Sequence, residues 1–479
     1  MSWNDLYVLL PMLVVIAWAL VLLLVDLWIP RGNKGITAGL AAIGMAAALG
    51  LTLSQRGQSL EGFGGMAVLD SFSVYMNVII LVSGLAAVAL ALDYLKKMEI
   101  ERGEYYVLLM ISVSGMMLMT QAHDLIMVFL ALEMLSMPLY VLAGFDSNRF
   151  ASGEAALKYF LLGAFTSGFL LYGVALIFGA TSYTSFSGII QSVQAGTVNM
   201  PLFVVGVGLV LAAFGFKVAA VPFQMWTPDV YQGAPSPVTA FMSVGVKAAA
   251  FAALMRVFLA LFPSLAANLA PILAVLSALT MIVGNVVAIL QTNIKRLLAF
   301  SSIANAGYLL MAFVSYGNSG ISSQVVGSML FFLVAYALTS LGAWSVVTAM
   351  EKQEGGLDLE DYAGLGRKAP WLALPMVVFM LSFTGMPLTM GFWGKFYLFK
   401  TAIDSGYLWL AIVGLITSVV SAFYYLKVVM MMYMKPGEPE ITRQTWSTVL
   451  AVGLAVVVIL LAFLPGSLLE TAAQAFLRI

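Results

Sequence analysis

The sequence contains no cysteine. That excludes a disulfide, a cysteine-ligated iron–sulfur cluster and a thiol nucleophile. A single histidine, His123, is too few for a histidine metal cluster. No glycine fingerprint follows a strand pattern, so no nucleotide-binding loop is legible. Charge is scarce too: charged residues make up 9% of the chain, against roughly a quarter in a soluble protein. Lysine plus arginine number 22 and aspartate plus glutamate 22, and a formal net charge of zero argues against a nucleic-acid partner. No redox or hydrolytic machinery is visible.

What is present is apolar. Of 479 residues, 62% are hydrophobic, and the mean hydropathy is +1.01. The apolar segments are about 20 residues long without strand alternation, which predicts membrane helices rather than barrel strands. The expected fold class is an all-α polytopic membrane protein. Fourteen spans are expected, at about 6–29, 35–54, 71–95, 105–121, 124–144, 151–180, 201–231, 237–262, 268–290, 296–315, 322–349, 370–402, 406–434 and 446–469. Spans 6, 7, 11 and 12 exceed the roughly 20 residues a bilayer needs, so they tilt, break or project. The first span has no basic start and no small-residue cleavage site, so it reads as a retained helix.

Lysine and arginine set the orientation. With the loop after span 1 in the cytoplasm, thirteen basic residues become cytoplasmic: Arg31, Lys34, Lys96, Lys97, Arg102, Arg149, Lys295, Arg296, Lys352, Arg367, Lys368, Lys435 and Arg443. Arg56, Lys400 and Arg478 fall outside. Both termini are then expected outside the cytoplasm. The acidic stretch Glu351 to Asp361 reads as solvated or subunit-contacting loop. His123 beside Asp124 reads as a solvated helix-end pair.

Six basic residues remain inside spans. Lys427 and Arg256 lie near span ends, where snorkelling to an interface is the plainer reading. Lys158 is ambiguous. Lys217, Lys247 and Lys395 lie too deep to snorkel, and Glu133 is the one acid at the middle of a span. A second regularity surrounds them. VPFQMW at Val221 to Trp226 is echoed by MPLTMGFW at Met386 to Trp393, so Pro222 and Pro387 sit 165 residues apart. Gln121 and Tyr140 are echoed by Gln291 and Tyr308 at nearly the same offset. The offset suggests two five-helix repeats, each with a proline-broken fourth helix. Five is odd, so the repeats are inverted in the membrane, and paired broken helices point to a transport site.

A buried ammonium costs several kcal/mol, and losing its proton is the usual escape, which makes a buried lysine a natural proton carrier. A carboxylate about 4 Å away supports the charged form by about 4 kcal/mol at an effective dielectric near 20. Glu133 and Lys217 form the candidate switching pair, with Lys247 and Lys395 next in line. Pro222 opens the helix beside Lys217, where freed backbone can hold water or bend. The competing reading of Glu133 and Lys217 is a static pair that fixes packing.

These residues carry a resemblance. LALEMLSMPLYVLAG with Glu133, EAALKYFLLGAF with Lys158, FKVAAVPFQMWTPDVYQGAPSPVTAF with Lys217, VGVKAAAF with Lys247, NIKRLLAFSSIANAGY, and MPLTMGFWGKFYLF with Lys395 resemble the antiporter-like subunit N of proton-pumping NADH:quinone oxidoreductase, respiratory complex I. The likeness covers nearly the whole chain. It implies fourteen helices, two inverted repeats, broken helices 7 and 12, and a proton axis at Glu133, Lys217, Lys247 and Lys395, with Lys158 added. The implied division is 1–104, then repeats at 105–262 and 263–434, then 435–479. NADH, flavin, iron–sulfur clusters and quinone are then expected on partner subunits, none on this chain. The implied setting is the bacterial inner membrane, with other complex I membrane subunits, lipid, protons and internal waters as partners. Two departures stand out. Relatives often carry histidine where this chain has Gln224 and Asn305, and neither amide titrates near neutral pH. The rival expectations are a cation/proton antiporter subunit and a scaffold that moves no proton.

Overall fold

The computed structural model describes residues 3–261, 265–315, 323–353, 355–441 and 444–475. Arg443 and Arg478 lie outside the described residues. The membrane helices are α1 (Leu10–Val25), α2 (Gly35–Ser54), α3 (Ser71–Lys97), α4 (Glu104–Gln121), α5 (Leu125–Ala143) and α6 (Phe150–Thr181). The seventh is broken into α7a (Met200–Val218) and α7b (Trp226–Gly233). The eighth, α8, runs Ser236–Phe241, a π-turn at Met242–Val246, then Lys247–Leu261. There follow α9 (Ala266–Ile289), α10 (Ile294–Val314), α11 (Ser323–Met350), the broken pair α12a (Pro370–Thr384) and α12b (Met390–Asp404), α13 (Leu408–Met434) and α14 (Thr445–Leu461). By length and composition alone, eleven described helices could span a membrane, or up to twelve counting a bent pair in which Pro465–Gln474 turns 92° from α14. Adding α4 and the broken twelfth helix recovers fourteen.

The alternation of loops is visible in the contacts. At one end of the bundle, Arg149 from the α5–α6 loop meets Glu351 after α11, and Lys295 at the start of α10 donates to the Ala234 carbonyl before α8. At the other end, the His123 amide donates to the Met66 carbonyl, and the Leu125 amide to that of Thr184. Leucine, isoleucine and valine are exposed along α1, α2, α6, α9, α13 and α14, as lipid-facing helices require. In contrast, α8 and α10 are wholly buried along their apolar windows. They form the centre of the bundle, so a charge placed there sees protein and not lipid.

Arg256 corrects the snorkelling expectation. It is 1% exposed, and its Nη2 donates to Asp70 Oδ1 at 2.7 Å and its Nε to the Thr120 carbonyl at 2.5 Å. Asp70 is 186 residues away and also caps α3, accepting from the Ser73 amide at 2.8 Å. A partner so placed lets the arginine stay inside. Breaking such a pair from one side costs about 3–5 kcal/mol because the remaining charge stays buried. Arg256→Met is therefore expected to lower the thermal unfolding temperature in detergent. Asp70→Asn keeps the cap and removes the charge, so adding it should recover part of the loss. Equal unfolding temperatures for all three proteins would show that the pair carries no stability.

Candidate functional site

Each deep lysine sits where a helix departs from regular α geometry. Lys217 lies one residue before α7a ends at Val218. Ala219 then turns left-handed at φ 62°, and Pro222 follows in the break. Lys247 is the first residue after the π-turn of α8. Lys395 lies on α12b, just past a break that starts at Gly385 with φ 86°. Glycine accepts that backbone without strain. Gly391 also allows the close approach, because a Cβ there would strike the Ser382 carbonyl of α12a. The two breaks stand at the positions where the sequence echo placed Pro222 and Pro387.

The freed backbone at the first break is answered by protein. The Val221 amide donates to Thr280 Oγ1 of α9 at 3.0 Å, and Trp226 Nε1 donates to the Phe216 carbonyl at 2.9 Å. This is the condition for irregular backbone at membrane depth. Pro222 itself is exposed.

Lys217, Lys247 and Lys395 are 2%, 3% and 4% exposed. Among the described residues no carboxylate oxygen lies within 4.0 Å of their ammonium groups. Neutral oxygens hold them instead. Lys217 Nζ donates to Ser136 Oγ of α5 at 2.7 Å and lies 5.8 and 5.6 Å from the ring centroids of Tyr140 and Tyr159. Lys247 Nζ donates to the Ser302 carbonyl of α10 and lies 5.8 Å from the Tyr336 ring. Lys395 Nζ donates to the Phe383 carbonyl at 2.7 Å, the Thr384 carbonyl at 3.2 Å and Ser418 Oγ at 2.8 Å, and lies 4.7 Å from the Tyr308 ring. The last arrangement places a cation on the C-terminal carbonyls of half-helix α12a, where the helix dipole favours it.

Glu133 does not contact Lys217 in this structure. Ser136, three residues along α5, takes the ammonium, and Glu133 acts on it only through space. Glu133 Oε1 is buried without a hydrogen-bond partner among the described residues. Lys158 stands apart from the other three. Its side chain is 40% exposed and pairs with Glu154 at 2.8 Å and with Asp229 at 2.7 Å. Arg296 shares Asp229 at 2.7 Å.

Between Lys247 and Lys395 runs a hydroxyl and amide network centred on α10. Ser302 Oγ meets Tyr336 Oη at 2.8 Å, Ser301 Oγ meets Tyr425 Oη at 2.5 Å, and Asn305 Nδ2 donates to the Ser301 carbonyl at 2.9 Å. Tyr308 Oη lies 3.3 Å from Thr417 Oγ1 and accepts from Asn285 at 3.5 Å, and Tyr424 donates to Asn285 Oδ1 at 2.9 Å. The groups between Lys247 and Lys395 can donate and accept protons without holding a net charge.

The pattern of the family described as NADH:quinone oxidoreductase/Mrp antiporter, TM, matches residues 122–421, which include all three lysines and both breaks. NADH-quinone oxidoreductase subunit N of Trichlorobacter lovleyi is 44% identical, covering 98% of this chain and 97% of the relative. The chain belongs to the NADH-quinone oxidoreductase subunit N family. The subunit N of Chloroflexus aggregans is 47% identical over 91% of this chain and 90% of its own. A chain of respiratory complex I from Thermus thermophilus with bound aureothin superposes with a TM-score of 0.83 at 36% identity, covering 97% of this chain and 99% of that one. A chain of the Mrp complex from Dietzia sp. DQ12-45-1b superposes with a TM-score of 0.86 at 20% identity, covering 99% and 97%. Its likeness shows the fold alone, so sequence and not shape separates this subunit N chain from the antiporter.

In this subunit N chain, sequence reading missed the groups that hold the lysines: Ser136, Ser302, Tyr336, Tyr308 and Ser418. Two further expectations change. Glu351 is fully buried and not solvated, and Lys295, expected in a loop, is buried with it. Asn305 is 4% exposed beside the network, whereas Gln224 lies in the first break with Oε1 buried and unpartnered among the described residues.

Proposed function

We propose that this chain is a proton-translocating, non-redox membrane subunit of a bacterial NADH:quinone oxidoreductase. Redox chemistry belongs to partner subunits, which hold the NADH, flavin, iron–sulfur and quinone sites, and this chain holds no cofactor. It sits in the inner membrane beside other membrane subunits of the complex, with both termini outside the cytoplasm. Helices 4–8 and 9–13 act as two inverted repeats, at 105–262 and 263–434. Protons move along Glu133, Lys217, Lys247 and Lys395 with internal waters, while Lys158 serves at the periphery.

One observation carries the reading. Three lysines are buried at three helix irregularities, and among the described residues only neutral oxygens hold them within contact range. A packing role calls for a counter-charge, since an unpaired buried ammonium costs several kcal/mol. A carrier calls for the opposite, because a contacting carboxylate would lock it in one state. The same observation speaks against a pure scaffold. Against the antiporter reading stands the identity to subunit N, 44% against 20% for the Mrp chain.

The test lies at the Glu133 end. Glu133→Gln removes a carboxylate that acts on Lys217 through space, so fewer protons per NADH are expected in membrane vesicles. Glu133→Asp should impair less. Glu133→Gln combined with Lys217→Met should be little worse than either alone, because the two work as a unit. Strictly additive losses, with assembly verified on native gels, would separate the two residues.

A further inference from the structure

At the end of the bundle carrying Arg149, a polar cleft of about 1000 Å³ opens among Lys97, Asp146, Asn148, Arg149, Lys352 and Glu440. Arg149 is its inner wall. Its side chain is 26% exposed, and its Nη1 donates to Glu351 Oε1 at 2.8 Å. Lys295 Nζ lies 3.5 Å from the same oxygen, and Ser236 Oγ donates to the other. Burial pushes the Glu351 carboxyl up, but Lys295, Ser236 and Arg149 outweigh it and hold it below the usual carboxylate range. Glu351 is thus an ionised acid, shielded from the cleft by one partly exposed arginine.

What lies behind it is a seam between α8 and α11. Ser236 opens α8, and Glu351 follows the end of α11. The helices run antiparallel along paired polar residues: Ser236 with Glu351, then Ser243 Oγ with Ser340 Oγ at 3.0 Å, then Lys247 against the Tyr336 ring. Ser236, Ser243 and Lys247 are spaced to share one helix face, as are Tyr336, Ser340 and Glu351. From Ser236 to Lys247 is about 16 Å of helix. A static lock between loops accounts for Arg149 and Lys295 around Glu351. It does not account for a hydroxyl pair deeper in the seam, aligned on a buried lysine.

We propose that Glu351 is the proton-loading acid of this subunit, and that protons pass from it along the Ser243–Ser340 seam to Lys247. When Arg149 swings into the cleft, a hydronium there gives its proton to a Glu351 oxygen. The proton leaves for water ordered by the two serines and ends on the neutral Lys247 amine, with no bond to carbon broken and no electron moved. The proposal rests on the reading of Lys247 as a carrier, and the experiment separates the two.

The assembled complex in inverted vesicles is compared as wild type, Glu351→Gln, Glu351→Asp, the double variant Ser243→Val with Ser340→Val, and Lys247→Met. The readout is protons taken up per NADH oxidised, with assembly followed on native gels. Glu351→Gln and the double valine variant are expected to lose the same share of uptake as Lys247→Met, and Glu351→Asp to recover part of it. The serine pair touches no ion pair, so it decides the matter should Glu351→Gln assemble poorly. A wild-type ratio in the double valine variant, beside a reduced ratio in Lys247→Met, overturns the loading route alone. A wild-type ratio in Lys247→Met overturns the carrier reading, and the loading route with it.

Discussion

Lys247→Met is expected to assemble normally and to lose the whole of this subunit's share of proton pumping. Methionine matches the length and flexibility of the lysine stem and buries no new polar group. The site loses one hydrogen bond, from Nζ to the Ser302 carbonyl, and that carbonyl remains within α10. Packing is therefore nearly conserved while the titrating group is gone. A positioned proton-transfer group is worth about 10²–10⁴-fold in rate, so flux through this point should fall to background. The position explains why no neighbour substitutes. Lys247 stands at the π-turn of a wholly buried helix, between the seam that leads to Glu351 and the α10 network that leads to Lys395. Tyr336 and Ser302 can order a water there but cannot carry a net charge at neutral pH. Protons pumped per NADH in reconstituted vesicles decide the point, and an unchanged ratio in an assembled complex removes Lys247 from the path.

The three lysines were legible in the sequence for a simple physical reason. Charge inside an apolar run is costly, so Lys217, Lys247 and Lys395 stand out without any knowledge of their neighbours. The breaks were legible because proline cannot continue a helix, and Pro222 and Pro387 repeat at a fixed offset. The partners were not. Ser136, Ser302 and Ser418 belong to a residue type common in membrane helices, and the Phe383 and Thr384 carbonyls carry no sequence signal. The π-turn before Lys247 has no residue signature either. Arg256 was misplaced because its acid, Asp70, lies 186 residues away and sits at a helix start. Glu351 was hidden by its surroundings: EKQEGGLDLED reads as a solvated loop, yet its first residue faces inward between Arg149 and Lys295. Long-range pairing selects one acid from a run, and composition cannot show which.

On the carrier reading proposed above, that difference in legibility follows function. A carrier must be chargeable, so it is conspicuous in an apolar helix. Its surroundings must not fix its charge, so they are drawn from hydroxyls, aromatic faces and carbonyls, which are inconspicuous. Arg256 shows the alternative in the same bundle: a buried charge meant to stay charged is given a counter-charge, Asp70, at contact distance.

Lys395→Arg is the complementary experiment, because it keeps the charge and removes the titration. Arginine stays protonated at any working pH. Lys395 Nζ rests on the Phe383 and Thr384 carbonyls of α12a and on Ser418, all of which accept hydrogen bonds, and on the face of Tyr308. A guanidinium satisfies each of these contacts, so the variant should assemble. A proton arriving from the α10 network would then meet a permanent positive charge and find no base. If Lys395 is the release end, pumping per NADH should fall as far as in Lys247→Met. The larger side chain needs a control, since Gly385 leaves only 3.1 Å between an added Cβ and Lys395 Cδ, which shows how closely the stem is packed. Lys395→Gln supplies it: smaller, neutral and able to donate to the same carbonyls. The glutamine variant removes the carrier without adding bulk, so the release reading expects a loss in both. A loss in arginine alone would be steric. Wild-type pumping in the arginine variant would place the release point elsewhere in the second repeat, with Tyr308 and Ser418 left as structural groups around a static cation.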